Sequence, residues 1–107
     1  MLSSSAVLKL RKVVQKGNDD PLKILKALSD QTRLKLFQLL IKRKELCVSD
    51  LAKIFRISPS AVSYQLKFLE RAGLVKRIKM GQIVCYEIKK SDNMVKSVIN
   101  FIQKKRV

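Results

Sequence analysis

The stretch Ser58-Pro59-Ser60-Ala61-Val62-Ser63-Tyr64-Gln65-Leu66-Lys67-Phe68-Leu69-Glu70-Arg71-Ala72-Gly73-Leu74-Val75 decides how the rest of this chain is read. Ser58 is a good helix cap and Pro59 suits the first helical position, where its missing N–H costs nothing. Val62, Leu66 and Leu69 then recur at i, i+4 and i+7, the spacing of one buried helix face. Gly73 follows as the residue that ends the helix in a left-handed conformation. Immediately before it, Arg56-Ile57-Ser58 form a turn. A preceding helix opens at Ser49-Asp50 and turns Leu51, Ala52, Ile54 and Phe55 inward. After it, Leu74 to Lys79 and Gln82 to Ile88 alternate in period two around Met80-Gly81, a hairpin pattern. Val84, Tyr86 and Ile88 share one face of that hairpin; Ile83, Cys85 and Glu87 share the other. Two helices joined by a three-residue turn and followed by a basic hairpin predict a winged helix-turn-helix. A plain helical bundle would leave residues 74–88 unexplained.

Outward from this centre the chain reads in helical period. Ser3-Ser4-Ser5 cap a helix with Val7, Leu10, Val13 and Val14 on one face, ended by Gly17-Asn18. Asp20-Pro21 open a short helix carrying Leu22, Leu25 and Leu28. Ser29-Asp30 cap another, with Leu34, Phe37, Leu40 and Ile41 in a stripe and Lys42-Arg43-Lys44 at its negative dipole end. Leu46-Cys47-Val48 is a brief extended segment. Ser91-Asp92 start a last helix with Met94, Val95, Val98, Ile99 and Ile102 apolar, ending in Lys104-Lys105-Arg106. The predicted fold is thus mostly α with a small β-hairpin, in the order α-α-α-α-α-β-β-α. Residues 1–107 form one domain: terminal helices at 1–18 and 91–107, helix-turn-helix at 49–72, wing at 74–88.

Composition limits the function. The 107 residues hold 24 Lys and Arg against 8 Asp and Glu, a net charge of +16, which calls for a polyanionic partner. There is no His, hence none of the commonest general bases and metal ligands. Asp19, Asp20, Asp30 and Asp50 sit where helix starts are expected, which leaves few carboxylates for catalysis. We therefore expect no enzyme. The longest uncharged run, Ile57 to Leu66, is ten residues, about half of a membrane span. With no signal peptide and only two Cys, the expected location is the cytoplasm, associated with the nucleoid.

Three motifs in order carry a family resemblance. Ala27-Leu28-Ser29-Asp30-Gln31-Thr32-Arg33-Leu34 resembles the second-helix signature of the ArsR/SmtB-type repressors, Ser58 to Leu69 their recognition helix, and Ala72-Gly73-Leu74-Val75 its exit into the wing. The resemblance covers about Leu22 to Ile88 and implies a homodimeric, operator-binding repressor released by an effector. It also implies where a metal would sit. Glu45-Leu46-Cys47-Val48-Ser49-Asp50-Leu51 resembles the thiolate-rich metal motif of that family, but Ser49 stands where the motif has a second Cys, and a hydroxyl does not replace a thiolate for a soft metal. The family's other site, on the last helix, needs His and carboxylates; here that helix offers Asp92. The expectation is no metal site, no cofactor, and no metal or small-molecule effector implied by the residues.

With Val62, Leu66 and Leu69 turned inward, the other side of that helix is free to enter a major groove of double-stranded DNA by its N-terminal half. Ser60, Ser63, Tyr64 and Gln65 are the base-proximal candidates, Gln65 either pairing with adenine or packing against the buried face. Lys53, Arg56, Ser58, Lys67, Arg71 and Arg77 are candidates for the DNA backbone, and Lys79 and Gln82 for the wing tip. The wing charges have a second reading, a solvated edge that discourages strand pairing. Residues 53–79 carry a net +6, with Glu70 as the lone acid.

The terminal helices supply Val7, Leu10, Val13, Val14, Val95, Val98, Ile99 and Ile102, which either form a homodimer interface or cap the core of a monomer. A two-fold dimer would set two recognition helices about 34 Å apart, one DNA turn. Cys47 and Cys85, on neighbouring strands, are a candidate redox pair or a chance proximity. The leading expectation is a sequence-specific repressor on an inverted repeat. An effector-independent architectural DNA binder and a thiol-responsive repressor are the alternatives.

Overall fold

The computed structural model describes residues 1–17 and 20–104. Asn18 and Asp19, and the basic end at Lys105-Arg106, lie outside the described residues. The elements run α1 (Ser4–Gln15), α2 (Asp20–Leu28), α3 (Gln31–Lys42), β1 (Leu46–Cys47), α4 (Val48–Phe55), α5 (Pro59–Arg71), β2 (Val75–Met80), β3 (Ile83–Ile88) and α6 (Asn93–Gln103). The helix starts are set by local chemistry. Ser3, Asp30, Ser58 and Asp92 each accept a hydrogen bond from the backbone N–H three residues on, at 3.1–3.2 Å. Each such cap contributes about 1 kcal/mol.

One start differs from expectation. α4 begins at Val48, and its cap is Cys47, in extended conformation and without a side-chain cap bond. Neither Ser49 nor Asp50 caps it, because residue 47 is held extended by pairing with β3. The helix ends at Arg56 in the left-handed region, φ 58° and ψ 42°, its N–H donating to Ala52 O. Arg there costs on the order of 1 kcal/mol relative to Gly.

β1, β3 and β2 form a three-stranded antiparallel sheet with β3 in the middle. Leu46 opposes Tyr86 and Cys47 opposes Cys85 on one side of β3; Val75 to Met80 oppose Ile88 to Ile83 on the other. Gly81, at φ 61°, turns the hairpin. This is the winged helix-turn-helix: α4, the turn at residues 56–58, α5, and the β2–β3 wing.

The core sits between α5 and the elements around it. Leu36, Phe37 and Leu40 of α3, Leu51 of α4, and Val62, Leu66 and Leu69 of α5 are all fully buried. Leu74 and Val75 at the start of the wing join them, with Tyr86 and Ile88 of β3. Each such side chain stabilises by about 1.5–3 kcal/mol. Because three of α5's residues are locked into this core, its orientation follows from the packing of α2, α3 and α4.

On the last helix one of the interface candidates, Val95, lies elsewhere than expected. Val95 is buried in the chain's own core, and Val98, Ile99 and Ile102 are half-buried against it. That face of α6 lies against the core through Val95, while Val98 and Ile102 still line an open groove. The apolar residues that α6 leaves exposed are Met94 and Phe101. α1 behaves oppositely: it has no buried residue, and Val7, Leu8, Leu10, Val13 and Val14 are all exposed.

Tyr86 gives the fold a pH signature. Burial raises its pKa above the ordinary 10.0, the charge of Glu70 adds to this, and Arg77, opposite it on β2, partly offsets it. Above the unfolded value only the unfolded chain ionises, so stability falls as pH climbs through the tyrosine range; below it there is no contribution. Tyr86→Phe should flatten that alkaline loss. Urea midpoints of both proteins, taken from neutral pH into the tyrosine range, check this; parallel declines would contradict it.

Candidate nucleic-acid interface

The site is built on α5. Ser58 ties down Ala61 N–H, Pro59 occupies the first position, and Val62, Leu66 and Leu69 face the core. What remains outward in the N-terminal half is Ser60 and Tyr64, both exposed, with Ser63 half-buried between them. Tyr64 is 61% exposed and packs edge-on against Phe68, ring centroids 5.2 Å apart. A helix presenting hydroxyls and one phenol from its first two turns, at the positive end of its dipole, matches the chemistry of base edges and phosphates.

The cations expected around it are exposed: Lys53, Arg56, Lys67, Arg71, Arg77 and Lys79, along with Ser58 and Gln82. Lys76 differs, since it pairs with Glu87 across the hairpin at 2.9 Å. Surface pairs of this kind contribute little, but this one removes a cation from the wing's free set. At the wing tip Met80 and Ile83, cross-strand partners, are more than half exposed.

Gln65 is tied to another element. Its side-chain oxygen accepts a hydrogen bond of 2.8 Å from Arg33 Nη1. Adenine recognition by an amide needs both the oxygen and the NH₂ turned toward the base, and the bond to Arg33 sets how this amide is turned. It is the packing alternative that the geometry supports. Arg33 is the residue that the sequence reading missed as a participant. Its Nε donates to Ala27 O at 2.7 Å, Nη2 donates to Lys26 O at 3.2 Å, and the guanidinium carbon lies 4.4 Å from the centre of the Phe68 ring. The signal available was the Arg within the Ser29 to Leu34 motif; its partner lies 32 residues away.

Cys47 and Cys85 are joined as a disulfide, their Cα atoms 3.7 Å apart. The bond links the residue before α4 to the middle strand of the sheet. Cys85 is fully buried, yet it stands outside the core cluster. Glu45 completes a trio whose ligand atoms lie within 4.8 Å of one another. The proximity that a redox pair requires is therefore present. With the sulfurs bonded to each other, neither is the thiolate that a soft metal requires, so the trio does not fit such an ion in this state.

Comparison with known proteins agrees with this geometry. The sequence profile described as "Bacterial regulatory protein, arsR family" matches residues 30–77, which run from the cap of α3 into the wing. A cadmium resistance transcriptional regulatory protein CadC homolog of Staphylococcus aureus is 39% identical over 80 residues, 75% of this chain and 64% of that one. The chain thus spans less than two thirds of that relative's length. The transcriptional repressor SdpR of Bacillus subtilis is 31% identical over 83 residues, 76% of this chain and 91% of that protein. Among solved structures, HlyU from Vibrio cholerae superposes with a TM-score of 0.69 at 32% identity, covering 81% of this chain and 91% of the other.

Proposed function

This chain belongs to the arsR family of bacterial regulatory proteins, and from that premise we propose that it is a sequence-specific double-stranded-DNA-binding repressor of transcription. It acts as a homodimer on an inverted repeat, in the cytoplasm and at the nucleoid, in a regulatory rather than enzymatic role. The observation that carries the reading is the exposed first half of α5, with Ser60 and Tyr64 outward, flanked by cations on α4, the turn and the wing. Ser60, Ser63 and Tyr64 face the base edges; Lys53, Arg56, Ser58, Lys67, Arg71 and Arg77 hold phosphates; Lys79 and Gln82 reach over the backbone. The wing hairpin follows α5 directly through Gly73, which fixes its distance from the groove.

The dimer rests on two apolar surfaces that a lone chain leaves wet. One is the face of α1 with Val7, Leu10, Val13 and Val14. The other is a groove of about 490 Å³ between α2, α3 and α6, lined by Leu25, Leu28, Leu34, Val98 and Phe101. Phe101 is 81% exposed there. Isolated apolar residues on a surface are ordinary, but a helix face and a groove of this extent mark an interface.

Selection from random duplex DNA followed by footprinting tests the proposal. The expected result is one short inverted repeat, protected on both half-sites. Even coating of any duplex would assign the protein to the architectural binders instead. The disulfide supports a second reading, a repressor responsive to thiol redox state through Cys47 and Cys85. Operator affinity measured on oxidised and reduced protein decides it; equal affinities remove it.

A further inference from the structure

We propose that Arg33 is a positioning residue that sets the base preference of α5 by keeping Gln65 from reading the DNA. The proposal rests on the DNA-binding reading above. Arg33 is anchored from its own side first. Its guanidinium donates to Lys26 O and Ala27 O, two carbonyls of the last turn of α2, which no helical N–H can satisfy. Anchored there, it meets α5 at two residues one turn apart: Nη1 donates to Gln65 Oε1, and the guanidinium plane lies against Phe68. A guanidinium carries its donors in a rigid fork, so these contacts fix both the place and the rotation of the Gln65 amide.

The consequence for recognition follows from the chemistry of the amide. A free glutamine offers adenine one donor and one acceptor together. Oε1 keeps a second lone pair, but the Arg33 fork fixes the rotation of the amide, so its oxygen and NH₂ are not free to turn together onto an adenine edge. Held in that orientation, residue 65 does not select adenine. Sequence preference is thereby left to Ser60, Ser63 and Tyr64, and a residue of α3 outside the recognition helix helps decide what that helix reads.

The test is base selection from random duplexes by five proteins, with Tm measured on each: wild type, Gln65→Ala, Gln65→Glu, Arg33→Met and the double variant Arg33→Met with Gln65→Ala. Gln65→Ala and Gln65→Glu should select the wild-type sequence, the glutamate because its carboxylate accepts from the same guanidinium. Arg33→Met should gain adenine at one position of each half-site, enriched about five- to a hundred-fold, as a newly free bidentate pair allows. The double variant should lose that gain. A purely structural Arg33 would lower Tm and affinity without moving base preference. The proposal is overturned if Gln65→Ala relaxes one position while Arg33 is intact, if Gln65→Glu brings in cytosine there, or if folded Arg33→Met selects the wild-type sequence. Should Arg33→Met not fold, the two Gln65 variants still decide whether residue 65 reads bases. Wild-type protein that selects no sequence at all refutes the DNA reading itself, a separate result.

Discussion

Raising salt from about 50 to 200 mM should weaken duplex-DNA binding by about 10³–10⁵-fold, the loss expected of a protein that neutralises six to ten phosphates. The count comes from the surface. Lys53, Arg56, Lys67, Arg71, Arg77 and Lys79 are exposed on each chain, while Lys76 is committed to Glu87. Two chains on a two-fold operator double the six, and engagement of half or more of them gives that range. The slope of log affinity against log salt should lie at roughly −5 to −9. Lys79→Ala should make it shallower by about 1 for each phosphate that the lysine neutralised, and weaken every duplex alike. Titrations by fluorescence anisotropy at four salt concentrations suffice. A slope shallower than about −2 would mean that the basic surface is not held against phosphates.

Reducing the Cys47–Cys85 bond should cost roughly 2–4 kcal/mol of folding stability. The two residues are separated by 38 positions, and closing a loop of that length removes roughly 4 kcal/mol of chain entropy from the unfolded state. For a domain of this size the Tm should fall by on the order of 10–25 °C on reduction. The loop contains all of α4 and α5 and the first wing strand, so the unfolded chain freed by reduction is the DNA-reading half. Thermal melts with and without reductant, with thiols counted at each point, check the value. The variant carrying Cys47→Ser and Cys85→Ser should melt like reduced wild type and ignore reductant. If fully reduced wild type melts within about 2 °C of the oxidised protein, chain-entropy loss is not what the bond supplies.

How much of this was legible in the sequence depended on how local the cause was. The caps at Ser3, Asp30, Ser58 and Asp92 are decided within one turn, and all four could be read directly. The inward faces of α5 and the turn at Gly81 were equally plain. The start of α4 was not, because Cys47 is kept extended by a strand 38 residues later, and no pattern near Ser49 records that. The same distance effect hid Arg33's hold on Gln65, where the two residues share a hydrogen bond and no periodicity. On α6 the apolar face was correctly seen, but the burial of Val95 within the chain's own core was not. Period alone cannot say whether such a face meets its own core or another chain, and Val95 goes to its own core. The pairing of Lys76 with Glu87 was within reach, since they face each other once the hairpin register is set. The charge count treated them apart.

α1 carries a thermodynamic consequence of its own. Among the described residues, the twelve of α1 bury no side chain and are held by their own backbone bonds and the cap at Ser3. An isolated helix of that length is marginal in water. In the proposed dimer, then, becoming helical and docking its apolar face are one coupled event for α1. Helix content at this end of the chain should follow protein concentration, full where partners meet and melting as they are diluted apart. The cell's supply of the protein would set not only how many regulators there are but how completely each one is folded.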